Sequence, residues 1–370
     1  MFPEEQTASL VFLDIIIYLF LFLLFHKSLK FPYEVSKSKH SIGVILIIVF
    51  VLFSFWGSDW FHYYESFPSI KSGENKHVED VYLFIGSISP NYILFRLLIW
   101  GSGIVLFAKT ISKLNVSKDL CWFIFVSSYL IWFSYARASL AMAIAFYGFA
   151  LIIGKNRNIV KVLLGFGFVG VSFFFHKSTA FAIGCVLMTL LAQRFPKLTY
   201  SLLVLLFPLI VIYVNSSLAQ FMTMSFDAES SNIDTYMING QRYFEARRSV
   251  ESGLGEILGR LLEQVPYYCT TALSLFAIFK SKIKPPSSIR PFMVLQVVIV
   301  LMSSVFLFTP TELTTGTIYV RFLRFAFIPT TLVLAYLYQS GYAHKLVKYN
   351  IYIAIMGAAY ALTYSLYCNL

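Results

Sequence analysis

Apolar residues in this chain run in long blocks of roughly 18 residues, divided by short polar turns. A block of that length crosses the hydrocarbon core of a bilayer as a helix. In lipid every backbone group must find its partner within its own helix. The pattern predicts twelve spans, at about 9–26, 41–56, 90–111, 119–135, 138–154, 159–175, 178–193, 198–214, 256–279, 291–309, 319–338 and 350–366. Two longer polar stretches, about 57–89 and 215–255, read as loops. No soluble domain, low-complexity tract or repeat interrupts the series. Residues 1–370 therefore read as one all-α, polytopic integral membrane bundle of about twelve transmembrane helices.

Composition agrees with the pattern. Of 370 residues 58% are hydrophobic and only 13% are charged. Mean hydropathy is +0.73. A soluble protein of this size needs far more polar surface. The opening "MFPEEQ" is acidic and lacks the basic start of a signal peptide, so the first apolar run is expected to persist as a helix. Cys121, Cys185, Cys269 and Cys368 lie in or beside apolar runs without CxxC spacing, and read as small hydrophobes.

The net charge of +11 matters less than its placement. Lysines crowd into alternate turns: Lys27 to Lys39, Lys109 to Lys118, Lys155 to Lys161, Arg194 and Lys197, Lys280 to Arg290, and Lys345 with Lys348. Those turns read as cytoplasmic. Most acids fall on the other side, including Asp59, Glu65, Glu79, Asp80, Asp227, Glu245 and Glu312. Both termini and both long loops are then expected to face outward, to the periplasm of a bacterial inner membrane.

Some cations break this bias. Arg96, Arg137, Lys177, Arg242, Arg247, Arg248, Arg260, Arg321 and Arg324 fall on the acid-rich side. Most are arginine, whose planar fork fits phosphate in bidentate fashion. Arg96 sits two turns into a span, a depth at which an ionisable group is a functional candidate. Arg321 and Arg324 are three apart and share a helix face. Arg137 opens one span and His176 closes the next, so one helical hairpin returns both to the same membrane face. The sequence thus permits an outward-facing cationic cavity. Each arginine also has a structural reading, snorkelling to headgroups or forming an ion pair. His176, in "SFFFHKSTAFAIG", reads as a base or as an interfacial hydrogen-bonding residue. Lys177 beside it favours the neutral imidazole that a base requires. Asp59 and Glu79 read as reserve bases or as a solvated loop face. Aromatic-charged mixtures at 60–67 and 236–248 suit sugar rings, and equally an aromatic belt.

No DxD, HxxxH, P-loop or GxSxG sequence occurs. A metal-dependent enzyme using nucleotide sugars and an ATP-driven transporter are disfavoured.

The segment "SYARASLAMAIAFYGFALIIGKNRNIVKVLLGFGFVGVSFFFHKSTAFAIG" resembles the centre of the EpsG-like branch of Wzy-type polysaccharide polymerases. The matching positions are Arg137, Ala141, Phe175, His176 and Ser178. Asp59 with Tyr63, Glu79 with Tyr82, and "YVRFLRFAFIP" at 319–329 are similar to further elements of that family. The chain departs from it after Arg137, where relatives carry glutamine and this chain has Ala138. The resemblance implies a GT-C-like layout. It also implies an enzyme that joins oligosaccharide repeat units carried on undecaprenyl diphosphate, as both donor and acceptor, at the outer face of the membrane. Transfer requires activation of the acceptor hydroxyl and stabilisation of the departing diphosphate. His176, with Asp59 and Glu79 in reserve, is expected to do the first. Arg137, Arg242, Arg247, Arg248, Arg321 and Arg324 are expected to do the second without a metal or other cofactor. The expected partners are membrane lipid and a chain-length regulator protein, with no nucleic acid. An O-antigen ligase would share the donor. A flippase or other transporter would place its charges nearer the midplane. An O-acyltransferase would draw its donor from the cytoplasm, where His176 is not expected.

Overall fold

The computed structural model describes residues 4–29, 37–53, 58–75, 78–135, 138–154, 158–195, 254–279, 285–305 and 317–369. Among these there is no strand. The helices are α1 (Glu4–His26), α2 (Lys37–Phe53), α3 (Ser58–Ser72), α4 (Asp80–Ile88), α5 (Tyr92–Arg96), α6 (Ser102–Ser112), α7 (Lys118–Ser128) and α8 (Leu130–Tyr135). Next come α9 (Ala138–Ile153), α10 (Ile159–Phe175), α11 (Thr179–Arg194), α12 (Leu254–Phe279) and α13 (Arg290–Ser304). The last are α14 (Thr317–Leu323), α15 (Phe327–Gln339) and α16 (His344–Asn369). A π-helical turn, Leu97–Gly101, joins α5 to α6, and a 3-10 turn, Arg324–Ala326, joins α14 to α15.

Each apolar run outside 198–214 contains helix, and 198–214 lies outside the described residues. The number of crossings is a separate matter. Among the described residues only Tyr92–Ser112, at 21 residues, is both long and apolar enough to cross a membrane by itself, and the shorter apolar stretches there, such as Ile15–Leu29 and Ile159–Phe175, have 10–17 residues. Twelve crossings are therefore not established by helix length.

Burial divides the bundle in two. On α7, α9, α13 and α15 nearly every described side chain is buried, whichever way it points. These helices form the centre, where Phe125 is in ring contact with Trp122, with Phe327 and with Phe133 of α8. Helices α1, α10 and α16 surround them and turn apolar faces outward. Phe12, Leu19, Leu23, Ile159, Leu163, Phe174, Leu346 and Met356 are all exposed. Water penalises a surface of that kind, whereas lipid does not.

Small residues set the closest approaches. A Cβ on Gly148 would lie 2.6 Å from the Gly165 carbonyl oxygen, and one on Gly165 would lie 2.7 Å from that of Gly148. The α9–α10 hairpin is therefore a direct backbone contact, which any side chain at either site would force apart. Polar bonds fasten the other half. Pro266 lies inside α12 and lacks the N–H that would bond the Leu262 carbonyl. Gly357 of α16 fits against that carbonyl, 2.8 Å from where its Cβ would stand. Asn350 donates to the Pro266 carbonyl at 3.2 Å, and Gln296 of α13 donates to that of Tyr267 at 3.0 Å.

The stretch 57–89, expected as a polar loop, is corrected by the structure: most of it is α3 and α4. Tyr63, Phe67 and Ile70 are buried at helical spacing. Tyr63 meets Trp100, Phe67 meets Tyr92 and Phe95, and Ile70 meets Gly86. One apolar stripe among many polar residues is enough to fold this segment back onto the bundle. The second expected loop, 215–255, lies almost wholly outside the described residues.

Candidate active site at one end of the bundle

The α8–α9 and α10–α11 turns lie at helix ends, and contacts tie them to α12, α13 and α14. The Ser139 hydroxyl donates to the Phe133 carbonyl across the α8–α9 turn at 2.9 Å. Phe181, in the first turns of α11, stacks on Phe322 of α14 with ring centroids 4.4 Å apart. The Tyr268 and Tyr319 hydroxyls are 2.6 Å apart, and Tyr268 also reaches Ser304 at 2.9 Å.

Among the described residues, two contacts between a basic and an acidic side chain are placed in this region. The first joins α4 to α10. His176 is the C-cap of α10, in extended backbone conformation, and its amide donates to the Ser172 carbonyl. Glu79 is the N-cap of α4, but its carboxylate makes no capping bond to its own helix. It lies instead with Oε1 2.9 Å from His176 Nδ1. The distance suits a hydrogen bond while the angles depart from those of one, and the contact is an ion pair only when the imidazole is protonated. Nδ1 is buried, yet a quarter of the histidine side chain is exposed, so the ring is open on another side. The imidazole and one of its two reserve carboxylates, 97 positions apart, are thus direct neighbours.

The second pair joins α12 to the 3-10 turn. Arg324 donates from Nε to Glu263 Oε1 at 2.7 Å and from Nη2 to Oε2 at 3.3 Å, a bidentate fork. Its guanidinium carbon sits 4.2 Å from the centre of the Trp132 ring. The side chains are 25% and 9% exposed. Glu263 escaped the sequence reading. An acid inside the apolar run 256–279 was the available signal.

Arg96, a functional candidate from its depth, has a structural environment. It is 1% exposed. Nε and Nη2 donate to the Val51 carbonyl at 3.2 and 2.6 Å, and the guanidinium lies 4.5 Å from the Trp100 ring centre. Val51 is in the last turn of α2, the end of a helix where a cation is favoured.

Arg137, Arg242, Arg247 and Arg248 lie outside the described residues. Asp59, Arg260 and Arg321 are located by backbone alone, Asp59 in the first turn of α3, Arg260 in the second turn of α12 and Arg321 on α14. The structure therefore brings together His176 with Glu79 and Arg324 with Glu263, and leaves the proposed cluster of arginines undescribed. Lys177 is exposed beside His176.

No curated protein and no solved structure is significantly similar to the chain. The EpsG family model matches residues 39–369, nearly the whole chain and every element of the site described above. On that match the chain belongs to the EpsG family, a membrane-protein family of polysaccharide polymerase type.

Proposed function

We propose that this protein is a glycosyltransferase that polymerises lipid-linked oligosaccharides. It acts at the periplasmic face of a bacterial inner membrane, which it crosses about twelve times. Donor and acceptor are repeat units on undecaprenyl diphosphate, and the product is an O-antigen, capsule or exopolysaccharide. His176 takes the proton of the acceptor hydroxyl. Arg137, Arg242, Arg247, Arg248 and Arg321 neutralise the diphosphates. Arg324 joins them by exchanging the Glu263 carboxylate for a phosphate, since both offer paired oxygens to one fork. Transfer proceeds without a metal, because fixed guanidinium groups stabilise the charge that develops on the leaving diphosphate.

The observation that carries this reading is the company His176 keeps. A partly open imidazole faces a carboxylate at the same end of the bundle as an arginine fork. A base and a phosphate-binding cation are the two groups that transfer from a diphosphate requires. The family match over nearly the whole chain supports an enzyme of polysaccharide polymerase type.

The test is polymerisation by purified protein in liposomes supplied with lipid-linked repeat units. A ladder of products that survives chelator is expected. His176→Ala is expected to reduce its rate at least a hundredfold, the range typical of general base loss. Normal chain growth in that variant would remove the histidine from the mechanism, and loss of the ladder with chelator would remove the metal-free account.

A further inference from the structure

We propose that Glu79 is a positioning residue for His176, not a base in its own right. It selects the ring nitrogen that meets the acceptor. This rests on the polymerase reading for its chemical consequence, but not for its geometry.

Three observations point to it. First, a carboxylate at a helix N-cap is placed where the helix end favours its negative charge, with the first free amides of its own helix as available partners. Glu79 makes no such bond, and its carboxylate lies against the imidazole instead. Second, the contact is made at Nδ1, and Nδ1 is buried. A carboxylate beside Nδ1 favours the neutral tautomer with its proton on that atom, and leaves the lone pair on Nε2. Third, each partner sits at a helix terminus held by other contacts. Tyr82, in the first turn of α4, is buried, and α4 is held to α3 through Gly86 and Ile70. The α9–α10 contact through Gly148 and Gly165 holds the helix that ends in His176. The other charges near the ring in sequence are Lys177, on its own turn, and Asp80, next to Glu79, and both are exposed.

A small rotation of the ring aligns Nδ1–H with the carboxylate, the adjustment expected when a reactant closes on such a pair. In the transfer step the acceptor oxygen bonds to the anomeric carbon while its proton passes to Nε2. The bond from that carbon to the diphosphate oxygen breaks, and the lipid diphosphate leaves with the electron pair. Glu79 faces the imidazolium so formed and remains ionised throughout.

Glu79→Gln separates this role from a purely structural one. Two readouts are taken on protein whose unfolding temperature has first been compared with the parent. The nitrogen spectrum of labelled His176 in detergent, assigned through His176→Ala, reads the tautomer whether or not the protein polymerises anything. The parent is expected to show a single form protonated at Nδ1, and Glu79→Gln a mixture. In the liposome assay Glu79→Gln is expected to lower kcat ten- to a hundredfold with KM changed less than threefold, and Glu79→Asp to restore part of the rate. An unchanged tautomer in Glu79→Gln overturns the proposal. So does a parental kcat. A tautomer shift without polymerase activity in the parent would leave the positioning contact standing and remove the polymerase reading alone.

Discussion

Arg96 and Arg324 invite comparison because the sequence presents them alike. Each lies within or beside an apolar run, and each guanidinium lies near a tryptophan ring, 4.5 Å from Trp100 and 4.2 Å from Trp132. Their other partners differ. Arg96 is enclosed, and two of its donors go to one backbone carbonyl at the end of α2. Arg324 is a quarter exposed and is held by a carboxylate. A carbonyl at a helix end is fixed in place by its backbone. A carboxylate can be exchanged for another anion. Depth in an apolar run therefore does not by itself mark a functional cation. The partner is what distinguishes the two.

The contrast is tested most severely at Arg96. Arg96→Ala removes two donors from the Val51 carbonyl and opens a void beside Trp100, and the two effects together are expected to cost about 3–5 kcal/mol. Thermal unfolding in detergent would show the loss, while polymerisation per folded molecule stays within twofold of the parent. A stable but inactive Arg96→Ala protein would reverse the assignment. Arg324→Ala should do the opposite. Polymerisation is expected to fall at least tenfold, with stability lowered by about 1–2 kcal/mol, because the pair is only partly desolvated. Glu263→Gln keeps the shape and one acceptor, and is expected to cost about 1 kcal/mol. Titration of lipid diphosphate against unfolding temperature would then show tighter binding, since the competing carboxylate is gone. Weaker binding would mean that Glu263 holds Arg324 in its binding position. The smallest effect is expected at Trp132. Trp132→Phe retains an aromatic face, and should lower stability by less than about 1 kcal/mol.

Much of the helical layout was legible from runs of apolar residues, because in a bilayer or a dry core the backbone has no partner except its own helix. The stretch 57–89 was misread for a related reason. Its apolar stripe is only one face wide, and Tyr63, Phe67 and Ile70 among charges resemble a loop until Trp100, Phe95 and Gly86 are set against them. The site was legible in parts. His176 and Glu79 were both named from their types and positions, but nothing in a one-dimensional pattern says that residues 97 apart will touch. Glu263 was missed because it follows Glu256 and Arg260 near the start of a long apolar run, and charges there read as a helix end.

The sequence alone determined that the chain is helical, and which residue types could take a proton or grip a phosphate, since both depend on composition over short windows. Only the tertiary structure decided which arginine serves a helix end and which faces a carboxylate, and which acid stands beside the histidine. Those outcomes depend on how helices far apart in the chain pack, and packing is set at points such as Gly148 against Gly165, where two backbones meet.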